Sequence, residues 1–371
     1  VNNLEIANSR FVLQIEEDLS EPAFGLNYSD LDVFDIQAKL SQISIYSDSI
    51  SAVIEQLAAK EKSGFQLKNF GGDFNISDHG LVLENGLLKT NQSSINLKLN
   101  LSYPSWEAFS NYIDEVNMSG EIISGVLNLN DIAYFVPQLE GMDNPIKIEC
   151  SFNGPVRNLR VRNLLLSLGN DTKFDGNVQL TGLPEVLETF VSLRIREFST
   201  SVADIETFRL PLGKVLDSLP GSIAAFGSIR VKGNFTGFYN DFVSNAKFST
   251  NIGELNTDIQ FSNNPEREII EYRGDFKGRQ FGLGRFLDRN DLFGDFDFNL
   301  RVKGEGLSME ELYANVEGEI NAFQFKNEQL DAVAINGLFQ ERQFTGAITI
   351  NDELGKADFE GHINFDTLVP V

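Results

Sequence analysis

The chain has 371 residues, and its 54 Asp and Glu against 30 Lys and Arg give a formal charge of −24, which disfavours a sequence-independent grip on nucleic acid. A single cysteine, Cys150, excludes an intramolecular disulfide, and two histidines, His79 and His362, leave little material for a transition-metal site. Phe outnumbers Tyr and Trp by 31 to 8 and 1, so the rings are mostly apolar bulk. The composition predicts no nucleic-acid partner, no metal site and no cofactor.

Alternation of apolar and polar residues is the dominant signal along the chain, and it predicts β-strands with one apolar face. Segment 50–60 fits either a helix or a strand. The clearest alternating runs are, in chain order, Ile95, Leu97, Leu99, Leu101 and Tyr103; Ile146, Ile148, Cys150 and Phe152; Ile229, Val231, Gly233 and Phe235; Phe296, Phe298, Leu300 and Val302; and Ala357, Phe359, Gly361, Ile363 and Phe365.

Turn-forming residues separate these runs and predict successive hairpins, while helical pattern is scarce. The predicted turns are Gly71-Gly72-Asp73, Asn85-Gly86, Gly304-Glu305-Gly306 and Asn336-Gly337. Short helices are predicted at 106–113, 131–137 and 309–313, the last with a capping box from Ser308 and Glu311. We therefore predict an all-β fold in which a few short helices decorate antiparallel strands.

An internal repeat of about 71 residues is visible around 212–247 and 283–317. Ile229–Gly233 returns 71 positions later as Leu300–Gly304, and Leu212–Leu216 returns at the same offset as Leu283–Leu287. Phe242–Lys247 matches a segment 70 positions later. Because stacked repeats bury their apolar faces against neighbours, we expect residues 1–371 to form one continuous, elongated β-repeat region, with soft joints near 104 and 220.

Few residues offer chemistry. Asp295 and Asp297 share one strand face as a glycosidase pair would, but 54 acidic residues produce many such pairs by chance, so we favour a solvated face. A calcium site at Asp288, Asn290, Asp291 and Asp295 lacks the EF-hand spacing and its terminal glutamate, and a plain turn is favoured. Cys150 alternates in phase with its strand and is expected to be buried. We predict no catalytic residues, and not an enzyme.

The apolar strand face itself has two interpretations, a closed core or the lining of a trough that accepts an apolar ligand. Local sequence does not separate them, because both require the same alternation. The candidate lining residues of such a trough are Phe296, Phe298, Leu300, Val302, Ile229, Val231, Phe235, Phe359, Ile363 and Phe365.

Several phrases resemble the TamB members of the AsmA-like family, in the version found in Bacteroidota. They include Phe281–Leu287 (FGLGRFL), Val302–Leu307 (VKGEGL) and Ala314–Gly318 (ANVEG), with Tyr134–Leu139 and Thr200–Ile205 further upstream. Together these phrases extend over most of the chain from about Ser63 onward. Since the chain starts at Val1 without a methionine, we expect it to be a middle segment of a longer polypeptide.

The resemblance implies a long antiparallel sheet curled into a trough, a β-taco with an apolar interior, in the periplasm of a Gram-negative cell. It implies an inner-membrane anchor outside this segment, an outer-membrane barrel of the TamA type as partner, and phospholipid acyl chains or outer-membrane protein assembly as the task. No catalytic residues come with it. The alternatives are a closed β-solenoid or sandwich acting as a scaffold or surface adhesin without lipid, a carbohydrate-active enzyme, and a transmembrane barrel, which the scarcity of Trp and Tyr disfavours.

Overall fold

The computed structural model describes residues 2–15, 24–210, 214, 224–264, 269–306, 312–326, 328–341, 343–352 and 355–364. The chain divides into two compact units, the first comprising Val1–Thr189 with Glu206–Leu216 and the second Phe190–Ile205 with Asp217–Val371. Antiparallel strands dominate both units, and the longest described helix has six residues. The predicted all-β class, a repetitive antiparallel sheet with a few short helices, is confirmed.

Ten described strands form the sheet of the first unit, and each pairs antiparallel with the next strand along the chain. They are β1 (Asn3–Gln14), β2 (Asp30–Ile45), β3 (Ser49–Glu61), β4 (Gln66–Ser77), β5 (Gly80–Lys89), β6 (Ser94–Ser102), β7 (Asn117–Asn128), β8 (Pro145–Gly154), β9 (Asn158–Leu168) and β10 (Thr172–Thr181). The segment that fitted helix or strand on periodicity is thus strand β3.

Short helices of the first unit lie in the connections at either end of β7. Trp106–Asn111 is a 3-10 helix followed by α1 (Tyr112–Glu115), close to the predicted helix at 106–113. After β7 come α2 (Leu129–Ile132) and a 3-10 turn at Pro137–Leu139, where a helix over 131–137 was predicted. A further 3-10 turn spans Val186–Glu188.

The second unit repeats the arrangement with ten described strands in sequential antiparallel pairing. They are β11 (Phe190–Ser201), β12 (Ser228–Phe238), β13 (Asp241–Thr250), β14 (Gly253–Asn264), β15 (Ile269–Gly282), β16 (Asp295–Glu305), β17 (Tyr313–Asn321), β20 (Val333–Gln340), β21 (Gln343–Asp352) and β22 (Gly355–Asn364). A separate hairpin of β18 (Phe323–Phe325) and β19 (Glu328–Leu330) follows β17. The remaining described helices are α3 (Val202–Thr207), which spans the division between the units after Ile205, and α4 (Leu283–Leu287) in the second unit.

Strand register differs sharply between the strands of the two units, which are assigned to one 20-stranded sheet. All nine described pairings of the first unit contain at least one register shift. In the second unit only two of nine do, between β11 and β12 and between β15 and β16. Because a β-bulge bends its strand and increases the local twist, we expect the strands of the first unit to twist more at these positions.

Three predicted hairpin turns are wrong, because their residues lie inside strands. Asn85 sits at a bulge of β5 with a left-handed φ of 52°, and Gly72 occupies the corresponding bulge of β4 with φ 146°. Asn336-Gly337 lies in regular register in the middle of β20. Gly and Asn adopt positive φ in bulges as well as in turns, so the two cannot be told apart from sequence. A glycine that faces the apolar side of a strand, such as Gly337, is likewise mistaken for a turn residue.

The internal repeat maps onto equivalent elements of the second unit. Ile229–Gly233 belongs to β12 and Leu300–Gly304 to β16, while the next matched pair falls on β13 and β17. Leu212–Leu216 lies almost entirely outside the described residues, and so does the joint predicted near 220. Of the helix predicted at 309–313, residues 309–311 lie outside the described residues, and Tyr313 is instead the first residue of β17. Pro104 lies in the connection between β6 and β7, and the continuity of residues 1–371 as one repeat region stays a prediction.

A buried carboxylate fixes α2 to the sheet of the first unit. Asp131 is only 3% exposed, and its Oδ2 accepts hydrogen bonds from the Gln92 N–H at 2.9 Å, the Ser93 N–H at 2.7 Å and the Thr90 hydroxyl. Residues 90–93 form the turn between β5 and β6, so one side chain ties two connections together. Charge-assisted bonds of this kind are about twice as strong as neutral ones.

Replacing this carboxylate should destabilise the first unit. Asp131→Ala leaves two backbone N–H groups without an acceptor, and each buried unsatisfied group costs roughly 1–3 kcal/mol, so we expect a loss of about 2–5 kcal/mol in the free energy of unfolding. Urea denaturation followed by circular dichroism measures it. The matched control is Asp143→Ala, which removes an exposed ion pair with Arg209 and should cost less than about 1 kcal/mol. Equal losses in the two variants would contradict the anchoring role.

Candidate functional site

The candidate functional surface is the apolar face formed by alternate residues along the strands of each unit. Strand pairing in the second unit carries these residues across the sheet in rows. Leu300 of β16, for example, lies opposite Phe276 of β15 and Gly318 of β17. The same row, in spatial order, runs Ala246, Thr257, Phe276, Leu300, Gly318, Ile335, Ile348 and Phe359. Apart from Thr257 and Gly318, this row is apolar from β13 to β22.

This face is incompletely covered. Leu300, Val302 and Ile335 are half-buried, whereas a core side chain in a two-layer domain is normally enclosed. Apart from the β18–β19 hairpin and helices of at most six residues, the described part of the chain offers no second layer to pack on it. Burial comes mainly from neighbouring side chains of the same sheet.

Aromatic rings lie over glycines on this face. A Cβ built on Gly278 would run into the ring of Phe298, its direct partner on β16. A Cβ built on Gly337 would lie 2.5 Å from the ring of Phe344 on β21. One built on Gly120 of the first unit would lie 2.7 Å from the ring of Phe152. The rings thus lie flat on the sheet and shield the glycine backbone, an arrangement known to support glycine in strands.

One end of the face in the second unit is closed by a phenylalanine cluster, which consists of Phe226, Phe281, Phe286, Phe296, Phe298 and Phe323 around Ile252. Ile252 is 1% exposed, and the rings of Phe296 and Phe298 are 4.9 Å apart. Its members come from the connection before β12, from β15, α4, β16 and β18. This edge is consequently a small, well-packed core.

A second aromatic group lies away from that cluster, on β12, β13 and β14. Phe235 and Phe242 have ring centroids 4.7 Å apart, and Phe242 stacks on Phe261 at 4.9 Å and 15°. Sequence reasoning missed Phe242 and Phe261, because Ser244 and Thr257 interrupt the apolar alternation of their strands. Counting small polar residues and glycine as compatible with the inner face would have found them.

The predicted lining residues fall into three environments. Phe296 and Val231 are each 8% exposed, so they are core residues. Half-buried positions on the apolar face are held by Phe298, Leu300, Val302, Ile229, Phe235 and Ile363. Phe359 is 42% exposed on β22, and Phe365 lies outside the described residues.

The first unit has a comparable face with its own closed end. One row joins Ile50, Ile76, Leu81, Leu101 and Met118 across β3 to β7. Tyr103, Ala108 and the fully buried Val116 pack with Leu101 beneath α1 and the preceding 3-10 helix. Cys150 of β8 is buried as predicted, and burial raises the pKa of its thiol.

The acidic residues considered for chemistry are held in structural contacts. Asp295 accepts a hydrogen bond from Arg285 at 3.1 Å, and Asp297 accepts one from the Gln280 N–H at 2.7 Å, where β15 bulges. Asp291 is paired with Arg289, which lowers the pKa of this carboxyl group through a side-chain hydrogen bond. Across the described residues no group of three His, Cys, Asp or Glu side chains is placed to hold a metal ion.

Comparison with known proteins finds no matching family model, curated protein or solved structure. Within the described part of the chain, no helix combines the length and apolar character needed to cross a membrane. The resemblance noted in the sequence therefore stays a prediction, and the surface has to be interpreted from its own geometry.

The ring-over-glycine packing can be tested by a double-mutant cycle. Gly278→Ala should cost about 1–3 kcal/mol of unfolding free energy, because the new methyl group displaces the Phe298 ring. Combining it with Phe298→Leu should cost clearly less than the sum of the two single changes, with a coupling of about 1 kcal/mol or more. Gly361→Ala is the control, since its nearest ring, that of Phe359, is exposed and can move away. Additive losses would refute the proposed packing.

Proposed function

We propose that the apolar face shelters phospholipid acyl chains, and that the protein is a non-enzymatic periplasmic bridge between inner and outer membrane. The observation that carries the proposal is the apolar face of the second unit, interrupted in the row through Leu300 only by Thr257 and a glycine, whose large side chains stay half-exposed where no second layer covers them. Contiguous apolar surface that stays uncovered commonly marks a site for a ligand or partner.

The chemistry of the face suits hydrocarbon rather than a polar ligand. Each CH₂ group removed from water contributes about 0.8 kcal/mol, so a chain lying along several strands gains several kcal/mol without any specific contact. Phe, Ile, Leu and Val offer no hydrogen bonds, and rows of equivalent positions let an acyl chain shift from strand to strand. Such a face would bind many lipids weakly and move them, rather than hold one.

The polar face complements this arrangement. Alternate residues of β16, such as Asn299, Arg301 and Lys303, are exposed, so this strand has one solvent-exposed side and one apolar side. The net charge of −24 disfavours adsorption to anionic membrane surfaces. An inner-membrane anchor outside this segment, a TamA-type outer-membrane barrel as partner and a part in outer-membrane protein assembly are proposed on the sequence resemblance alone.

The phenylalanine cluster favours a second candidate, a scaffold whose apolar face is closed and carries no lipid. Ile252 and Phe281 show that part of this face reaches the packing of an ordinary core. In that case the half-exposed rows would be covered by protein, and the segment would act only as a spacer or adhesin.

Site-specific photo-crosslinking in cells distinguishes the two. A benzoylphenylalanine at Leu300 or Val302 should yield phospholipid adducts, because both side chains lie on the apolar face. The same probe at Asn299 or Arg301, neighbours on the same strand but on the polar face, should yield at most background. All four positions share one strand, so differences in expression or folding are minimised.

Adducts to protein only at Leu300 and Val302, at the level of the polar-face controls, would overturn the lipid proposal and support the scaffold. Native mass spectrometry of gently purified protein provides an independent measurement. Co-purified phospholipid that is lost in a Leu300→Glu variant but kept in Arg301→Glu is the expected result.

A further inference from the structure

The polar face of the second unit contains an open concavity of about 580 Å³, on the side of the sheet opposite the apolar rows. It is bordered by an adjoining hollow of about 380 Å³, and three residues line both: Gln260 of β14, Arg273 of β15 and Lys303 of β16. These residues form the centre of one continuous depression across four strands. Strand register places them in a single row together with Asn315 of β17.

Arg273 and Lys303 lie directly opposite each other in this row. Like charges at directly opposed positions of an antiparallel pair are destabilising, so this pair lowers the stability of the sheet. The neighbouring row shows the usual solution, because there Arg301 pairs with Asp275 at 3.1 Å and with Glu317 at 3.3 Å. In a chain with far more acidic than basic residues, a directly opposed cation pair that forms no ion pair within the described residues is unexpected.

Arg273 and Lys303 both have N–H groups available to a hydrogen-bond acceptor from outside the chain. Arg273 donates from Nε and Nη2 to the Gln260 side-chain oxygen, at 2.9 and 2.6 Å, which fixes the guanidinium and leaves Nη1 available. Lys303 has no hydrogen-bond or ion-pair partner in the described part of the chain. The amide nitrogens of Gln260 and Asn315 add further donors to the same row.

We propose that this row binds the phosphate group of a phosphodiester. Guanidinium and ammonium groups side by side are a common means of holding phosphate oxygens, and binding would replace the repulsion between the cations by two attractive contacts. Glu271 and Glu305, directly opposed in the next row, line the concavity as well. They disfavour polyanions and favour a phosphate of single negative charge. The site is on the other face of the sheet from the acyl-chain rows and does not depend on them.

The test uses two probes, because a phosphodiester can be a soluble ester or a lipid headgroup. Calorimetric titration with glycerophosphocholine measures the soluble source, and co-flotation with phosphatidylcholine vesicles measures the lipid source. The site variant is Arg273→Gln/Lys303→Gln. The control, Lys232→Gln/Lys277→Gln, removes the same charge from exposed lysines of the same face that do not line the concavity.

Binding of either probe that falls at least about tenfold in the site variant and stays within about twofold in the control supports the proposal, and the probe that binds identifies the source. Equal binding by site variant and control, or no binding of either probe to the unmodified protein, overturns it. Circular dichroism verifies folding, and Lys303→Gln alone serves if the double variant is unstable. Acyl-chain crosslinks at Leu300 should be unaffected, so failure of this proposal leaves the proposed function testable on its own.

Discussion

A single-layer sheet has to protect its apolar face with its own side chains, and this constraint organises both units. Sheets usually bury one face against a second layer, which the described helices and the β18–β19 hairpin are too short to supply. Two devices replace it. Rings such as those of Phe298 and Phe344 lie flat over glycines of the adjacent strand, and connections at the strand ends carry aromatic clusters that close the face locally. Away from the closed end of each unit, half-exposed aliphatic rows remain, and the proposed acyl-chain function depends on those of the second unit.

The strands of the two units meet this constraint with different backbone conformations. In the first unit, polar residues such as Asp35, Asn85 and Asn163 adopt left-handed φ at register shifts. Each shift changes which residues of the strand point to the apolar face. In the second unit most pairings are regular, and residues of one row stay aligned over many strands. Long aligned rows exist on both sides of that sheet. They create the apolar rows on one face and the opposed Arg273 and Lys303 on the other.

Sequence periodicity predicted the fold class and the strands around Leu99, Val231 and Leu300 because strict period-two alternation fits a half-buried strand and places apolar residues on every side of a helix. The prediction of turns failed where Asn or Gly occupies a strand position for a reason other than a turn. Asn85 marks a bulge and Gly337 makes room for the Phe344 ring, yet both look like hairpin turns in the sequence. The concavity around Arg273 was not predictable either, since it requires knowing that β15 and β16 pair in the register that brings this residue opposite Lys303.

Pairing between strands that are consecutive in sequence also has a kinetic consequence. Most contacts within a unit join residues of one hairpin, and local contacts of this kind form early in folding. The connection after β7 is different, because Tyr134 packs on Phe24 with ring centroids 5.1 Å apart although 110 positions (24 to 134) separate them in sequence. Closing so long a loop costs more conformational entropy than closing a hairpin. The hairpins of the first unit are therefore expected to form first, and the contact between Tyr134 and Phe24 last.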